Sequence, residues 1–135
     1  KALEMAALRG VDVRLLLPER PDHRLVWWSS FEFIPELIRA GVRVFRYREG
    51  FLHQKVLLID DYLAAIGTAN LDNRSLRLNF EIMALVGDGE FATEVQTMLE
   101  RDFGQCAEDR LGDFERLPLA RRLAAKFARL FAPIL

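Results

Sequence analysis

One stretch of this sequence gathers groups suited to handling phosphate: His53, Lys55, Thr68, Asn70 and Glu81, with Asp60 among them. Lysine provides a compact positive charge, and threonine and asparagine provide neutral donors to non-bridging oxygens. Histidine titrates near neutrality, so it can attack phosphorus or protonate a leaving oxygen. An imidazole also needs a partner on its second nitrogen to fix its tautomer, and Glu81, on the following strand, is the candidate. A lone histidine on a strand is more often a core residue than a catalyst. Here it stands with other groups whose spacing suits the same task.

The elements that must position these groups follow from the local pattern. Leu52 to Ile59 is apolar on both faces and reads as a central strand covered on both sides. Ionisable residues there are costly unless they are used. Residues two apart on a strand share a face, so His53 and Lys55 point the same way. With Asp60-Asp61 as a two-residue turn into the strand Tyr62 to Ile66, His53 stands opposite Thr68 and Lys55 opposite Ile66. Asn70 then lies one pair further along the same face. A slip of one residue would send Thr68 to the other face, so the convergence leans on the register. Asp60, at the turn, suits local capping or pairing better than direct chemistry, although it stays in the candidate set.

Upstream, residues 2–9 form a helix stopped by Gly10, and 11–17 a strand. Residues 22–40 carry a helical pattern closed by Gly41, and 42–47 alternate as a strand. That rhythm belongs to crossover units feeding a parallel sheet. Downstream come a helix-or-loop at 70–78, a strand at 80–86, a long helix at 88–106, a polar stretch at 108–112 and a final helix at 118–131. The fold class is α/β, with a mixed sheet, mostly parallel but containing an antiparallel hairpin, flanked by helices. Residues 1–111 make one unit and 112–135 a basic amphipathic segment. Trp27, Trp28, Phe31 and Phe33 suit core packing or an acyl-chain contact, and His23 a solvated helix start. The last helix aligns Leu119, Leu123, Phe127, Leu130 and Ile134, with Arg121, Arg122, Lys126 and Arg129 off that stripe. This fits an anionic bilayer surface and a domain-packed helix equally.

Composition sets outer bounds. With 51% hydrophobic and 29% charged residues, the chain has the profile of an ordinary globular domain. A formal net charge of −1 gives no global electrostatic case for nucleic acid, and none is expected as a partner. The single cysteine, Cys106, permits no internal disulfide and reads as a small buried apolar side chain on a helix. No apolar run is long enough to span a bilayer, and no signal peptide is legible. Lys1 opens directly into helix without an N-cap, so the expectation is an excised tail of a longer protein.

The string His53-Gln54-Lys55-Val56-Leu57-Leu58-Ile59-Asp60 has the H-x-K-x4-D form of the phospholipase D superfamily, and Gly67-Thr68-Ala69-Asn70 and Asn79-Phe80-Glu81 complete its extended pattern. The phrase from Gly67 through Leu76, then Leu78 to Glu81, and the close Phe131 to Leu135 resemble the C-terminal half of bacterial cardiolipin synthases. That resemblance covers essentially the whole chain. It implies two such motifs facing each other across one active site, one histidine forming a phosphohistidine and the other protonating the departing alcohol, with no metal or cofactor. It assigns the nucleophile to the first motif, which makes His53 the general acid/base. It implies phosphatidylglycerol as donor and acceptor, an anionic bacterial membrane as the place of action, and an opposing half from upstream in the same chain or a second copy. Relative to the family the first strand is absent, and the isolated chain is expected to be inactive. The alternatives are a phospholipase D-type phosphodiesterase or nuclease, or a non-catalytic lipid-phosphate-binding domain.

Overall fold

The computed structural model describes residues 1–20 and 33–115. The expectations for His23, Trp27, Trp28, Phe31 and the helix at 118–131 lie outside the described residues.

Helix α1 (Ala2–Leu8) ends at Gly10, whose φ of 91° is the left-handed geometry glycine adopts without penalty. The Val11 N–H reaches back to Ala6 O and the Gly10 N–H to Ala7 O, a helix stop that satisfies otherwise orphaned carbonyls. Helix α2, helical across 33–39, stops the same way at Gly41, with φ 96° and Val42 N–H bonded to Leu37 O. Each stop delivers the chain into a strand, β1 (Arg14–Pro18) and β2 (Arg43–Tyr47), which pair in parallel from Arg14 opposite Arg43. The helix–glycine–strand rhythm therefore does what the sequence reading expects.

Alternation along β2 sends Val44 and Phe45 to opposite faces. Val44 joins Ile34, Val42 and Phe114 in the core, backed by Ala7, Leu15, Leu37 and Ile38. Phe45 meets the Phe103 ring edge-on at 4.9 Å, which docks the long helix α4 (Gly89–Phe103) on the other side. Asp88 caps α4 by accepting from Phe91 N–H at 2.8 Å. The same helix also packs on β3 (Val56–Ile59), β4 (Leu63–Gly67) and β5 (Met83–Gly87), so it links the two sheets. The first sheet has the order β1-β2-β6, where β6 is Cys106–Glu108; the second has the order β3-β4-β5. A short helix, α3 (Asn73–Arg77), links β4 to β5, and α5 (Leu111–Glu115) carries Phe114 into the core.

The α/β class holds, but the balance of strand directions differs from the sequence reading. Among the described residues one ladder is parallel, β1 with β2, and three are antiparallel. For β3 and β4 the connection explains this: a three-residue turn cannot carry a chain back for a parallel pairing, which needs a dozen residues or more. The long helix ends at Phe103 and Cys106 opens strand β6, half-buried, where the sequence reading expects a buried side chain on a helix. Three residues are too few for a periodic signal. Strand β6 is fixed by pairing with β2 and by the buried ion pair Arg46 Nε–Asp109 Oδ2 at 2.8 Å.

Candidate active site

Among the described residues strand β3 is an edge strand, not the covered central strand its apolar sequence suggests. Leu57 and Ile59 are 48% and 46% exposed on one of its faces. The hairpin turn has three residues, Asp60, Asp61 and Tyr62, with Asp60 at φ 52°, a left-handed position aspartate tolerates better than most residues. The pairing is therefore slipped by one from the sequence reading: Val56, not Lys55, stands opposite Ile66. On a regular ladder that slip would turn Thr68 away from His53. The ladder is not regular there. Strand β3 begins only at Val56 and β4 ends at Gly67, so His53 and Thr68 lie beyond its paired part.

Gly67, the last residue of β4, lets the chain press closely against the start of β5. A Cβ at this position would collide with the Ile82 carbonyl oxygen and lie 2.8 Å from Met83 Cα. Thr68 then docks on the same backbone. Its N–H donates to Ile82 O at 2.9 Å, and its Oγ1 accepts from Ile82 N–H at 3.0 Å. The result is an open pocket of about 280 Å³ lined by His53, Lys55, Gly67, Thr68 and Asn70. Four of the six residues singled out from the sequence thus meet, by a route other than the expected register.

Glu81 stands immediately behind them. Thr68 Oγ1 donates to Glu81 Oε2 at 2.6 Å, and Asn79 Nδ2 to Oε1 at 3.2 Å. The Thr68 bond holds the Glu81 carboxyl below the usual range, with Asn79, the Ser75 hydroxyl and the Lys55 charge adding in the same direction. Glu81 is thus kept ionised beside the pocket, and each carboxylate oxygen retains acceptor capacity for an imidazole N–H. The structure does not bring Asp60 to this group. Strand β3 separates it from Lys55, a span of about 16 Å at the usual rise per residue.

Several contributing residues escape the sequence reading. Phe51 stacks on the His53 ring with centroids 5.6 Å apart and planes 15° from parallel. Its signal was the same spacing of two that links His53 to Lys55. Asn79 and Ser75 show no sequence signal beyond lying within the same motif phrase. Gln54 turns away from the pocket and donates to Asp102 Oδ2 on α4 at 3.0 Å, a contact no local pattern reveals.

Comparison with known proteins gives a consistent picture. The family model described as "Cardiolipin synthase, PLD-like domain" matches residues 1–103. Cardiolipin synthase A of Pseudomonas putida (strain W619) is 56% identical over 134 residues, covering 99% of this chain and 28% of that protein. Cardiolipin synthase A of Pseudomonas aeruginosa (strain LESB58) is 55% identical, covering 99% of this chain and 27% of that protein. The chain thus spans little more than a quarter of these relatives. Among solved structures, the phospholipase D family member Nuc from Salmonella typhimurium superposes with a TM-score of 0.72 at 21% identity, covering 81% of this chain and 71% of that one. The phosphatidylserine synthase of Haemophilus influenzae Rd KW20 gives a TM-score of 0.59 at 19% identity, covering 96% and 35%. At such identities the likeness concerns the fold.

Proposed function

The chain belongs to the family of cardiolipin synthase, PLD-like domains, and from that premise we propose that it is the C-terminal, second-motif half of a phosphatidyltransferase. Its substrate is phosphatidylglycerol, and the transfer runs through a phosphohistidine. The observation that carries this reading is the shared pocket of His53, Lys55, Thr68 and Asn70. Lys55 supplies charge to the non-bridging phosphoryl oxygens, and Thr68 and Asn70 line the same space with neutral polar groups. Glu81 is the candidate partner for the His53 imidazole. Asp60 serves the turn.

In this scheme the histidine of an opposing half attacks phosphorus, and the bond from phosphorus to the glycerol oxygen breaks. His53 gives its proton to that oxygen, and glycerol leaves. The hydroxyl of a second phosphatidylglycerol then loses its proton to His53 and attacks phosphorus. The phosphorus–nitrogen bond breaks, and cardiolipin is released. The opposing half comes from upstream in the same polypeptide or from a second copy. The openness of the site supports the need for one: His53, Thr68 and Asn70 are solvent-exposed, whereas phosphoryl transfer to an alcohol must exclude competing water. The reaction belongs at an anionic bacterial membrane surface, which the basic residues after 115 would favour. Among the described residues no helix is long and apolar enough to cross a membrane. The proposed division is a catalytic half in residues 1–111, followed by a basic segment at 112–135.

The test is product analysis of the longer protein on phosphatidylglycerol vesicles. Cardiolipin and glycerol in equal amounts are expected, with no turnover by the isolated 135-residue chain. Phosphatidic acid alone, cleavage of nucleic acid alone, or no reaction would each reject the reading. Robust turnover by a proven monomer of the isolated chain would reject the need for an opposing half.

A further inference from the structure

We propose that Gln54, the residue between His53 and Lys55, is a positioning residue that Asp102 of α4 clamps from behind, so that the imidazole and the ammonium are presented to the pocket at a fixed height. The segment His53–Lys55 lies outside β3, where ladder bonds would otherwise hold it. From β4 it receives one backbone bond, Gly67 N–H to Lys55 O at 3.2 Å. Lys55 Nζ reaches back to His53 O at 3.4 Å, a long contact that cannot anchor the segment to the fold. In an extended chain the middle residue points away from its two neighbours. The Gln54 side chain accordingly leaves the pocket and meets Asp102 Oδ2 at 3.0 Å.

Asp102 is poorly explained unless it does this. It is 9% exposed, and it sits in the last turn of α4, where the helix dipole disfavours an anion. Burial of a carboxylate is costly without compensating bonds. Among the described residues the cation paired with it is Arg101, whose Nε is 3.9 Å from Oδ1 and whose side chain is 72% exposed, so it offers little. Among the described residues, the bond at proper distance to this carboxylate comes from the Gln54 amide, a charge-assisted contact about twice as strong as a neutral one. Asp102 O also accepts from Gln105 N–H and from Cys106 Sγ, which fixes the end of α4 against β6. The clamp thus joins the reactive segment to the helix that links both sheets. This inference rests on the phosphatidyltransferase reading only for the meaning of its kinetic arm.

The experiment compares wild type with Gln54→Leu, Asp102→Leu and Asp102→Asn. In the longer protein, Gln54→Leu and Asp102→Leu should lower kcat on phosphatidylglycerol by roughly 10- to 100-fold, the range a displacement of about an ångström produces, with little change in KM. Asp102→Asn, whose amide oxygen still accepts from Gln54, should stay near wild type. In the 135-residue chain, amide exchange across residues 53–56 should accelerate about tenfold or more in the two leucine variants, as expected for loss of a bond to a charged group, while the interior of α4 keeps its protection. Unchanged exchange at 53–56, or equal acceleration throughout α4, would overturn the clamp. Failure of wild type to make cardiolipin would reject the function proposed above and leave the clamp to be decided by exchange.

Discussion

Gly67→Ala should damage the site far more than one methyl group suggests. A Cβ at Gly67 would fall on the Ile82 carbonyl oxygen and come within 2.8 Å of Met83 Cα and 2.6 Å of Met83 Sδ, where ordinary contact begins at 3.4 Å. The sulfur can swing aside. The two backbone atoms cannot, so the start of β5 must retreat by about an ångström, an overpacking cost of about 1–3 kcal/mol. The atoms displaced are those that hold Thr68, through Ile82 O and Ile82 N–H, and through Thr68 they hold Glu81. A misplacement of that size in a transfer site is worth about a hundredfold in rate. Initial rates of cardiolipin formation by the longer protein, together with thermal melts, should show kcat down about a hundredfold with melting lowered by only a few degrees. Gly89→Ala is the control. A Cβ there meets nothing closer than Asp61 O at 3.7 Å, at the first position of a helix where alanine is favoured. If Gly67→Ala turns over within twofold of wild type, the close approach of β4 to β5 does not set the site.

Two further predictions concern charge. The folded-state pKa of Glu81 is depressed, chiefly by Thr68, so the contact stabilises the fold above the ordinary carboxylate range and is lost as pH falls through the lowered pKa. Thr68→Val should therefore move the Glu81 carboxyl carbon titration, followed by NMR, upward toward the ordinary value; no movement would contradict the assignment. The ion pair Arg46–Asp109 is nearly buried, its side chains 8% and 17% exposed. Arg46→Ala should cost about 3–5 kcal/mol in denaturant unfolding, with most of it recovered by Arg46→Met combined with Asp109→Leu.

The parts of the fold legible in the sequence were those fixed by local chemistry. Gly10 and Gly41 stop helices because only glycine enters the left-handed region freely, and the apolar and alternating runs after them mark the strands. Strand β6 was not legible, because three residues carry no period and the pairing with β2 is non-local. The exposed edge position of β3 was not legible either, since Leu57 and Ile59 look like core residues until the sheet order is known. For the site, residue types and spacing singled out His53, Lys55, Thr68 and Asn70, which line one pocket, while the register behind them was wrong by one. Their convergence survived because it depends on Gly67 and on the Thr68–Ile82 bonds beyond the paired strands. The Gln54–Asp102 contact spans two elements distant in the chain and leaves no local trace.

The most direct measurement is turnover of phosphatidylglycerol by the longer protein carrying His53→Ala, with a thermal melt beside it. Loss of the proton-transferring group should reduce cardiolipin formation by about a thousandfold or more while the melting transition stays cooperative and close to wild type. A folded His53→Ala protein that makes cardiolipin at the wild-type rate would show that the imidazole in this pocket does no chemistry.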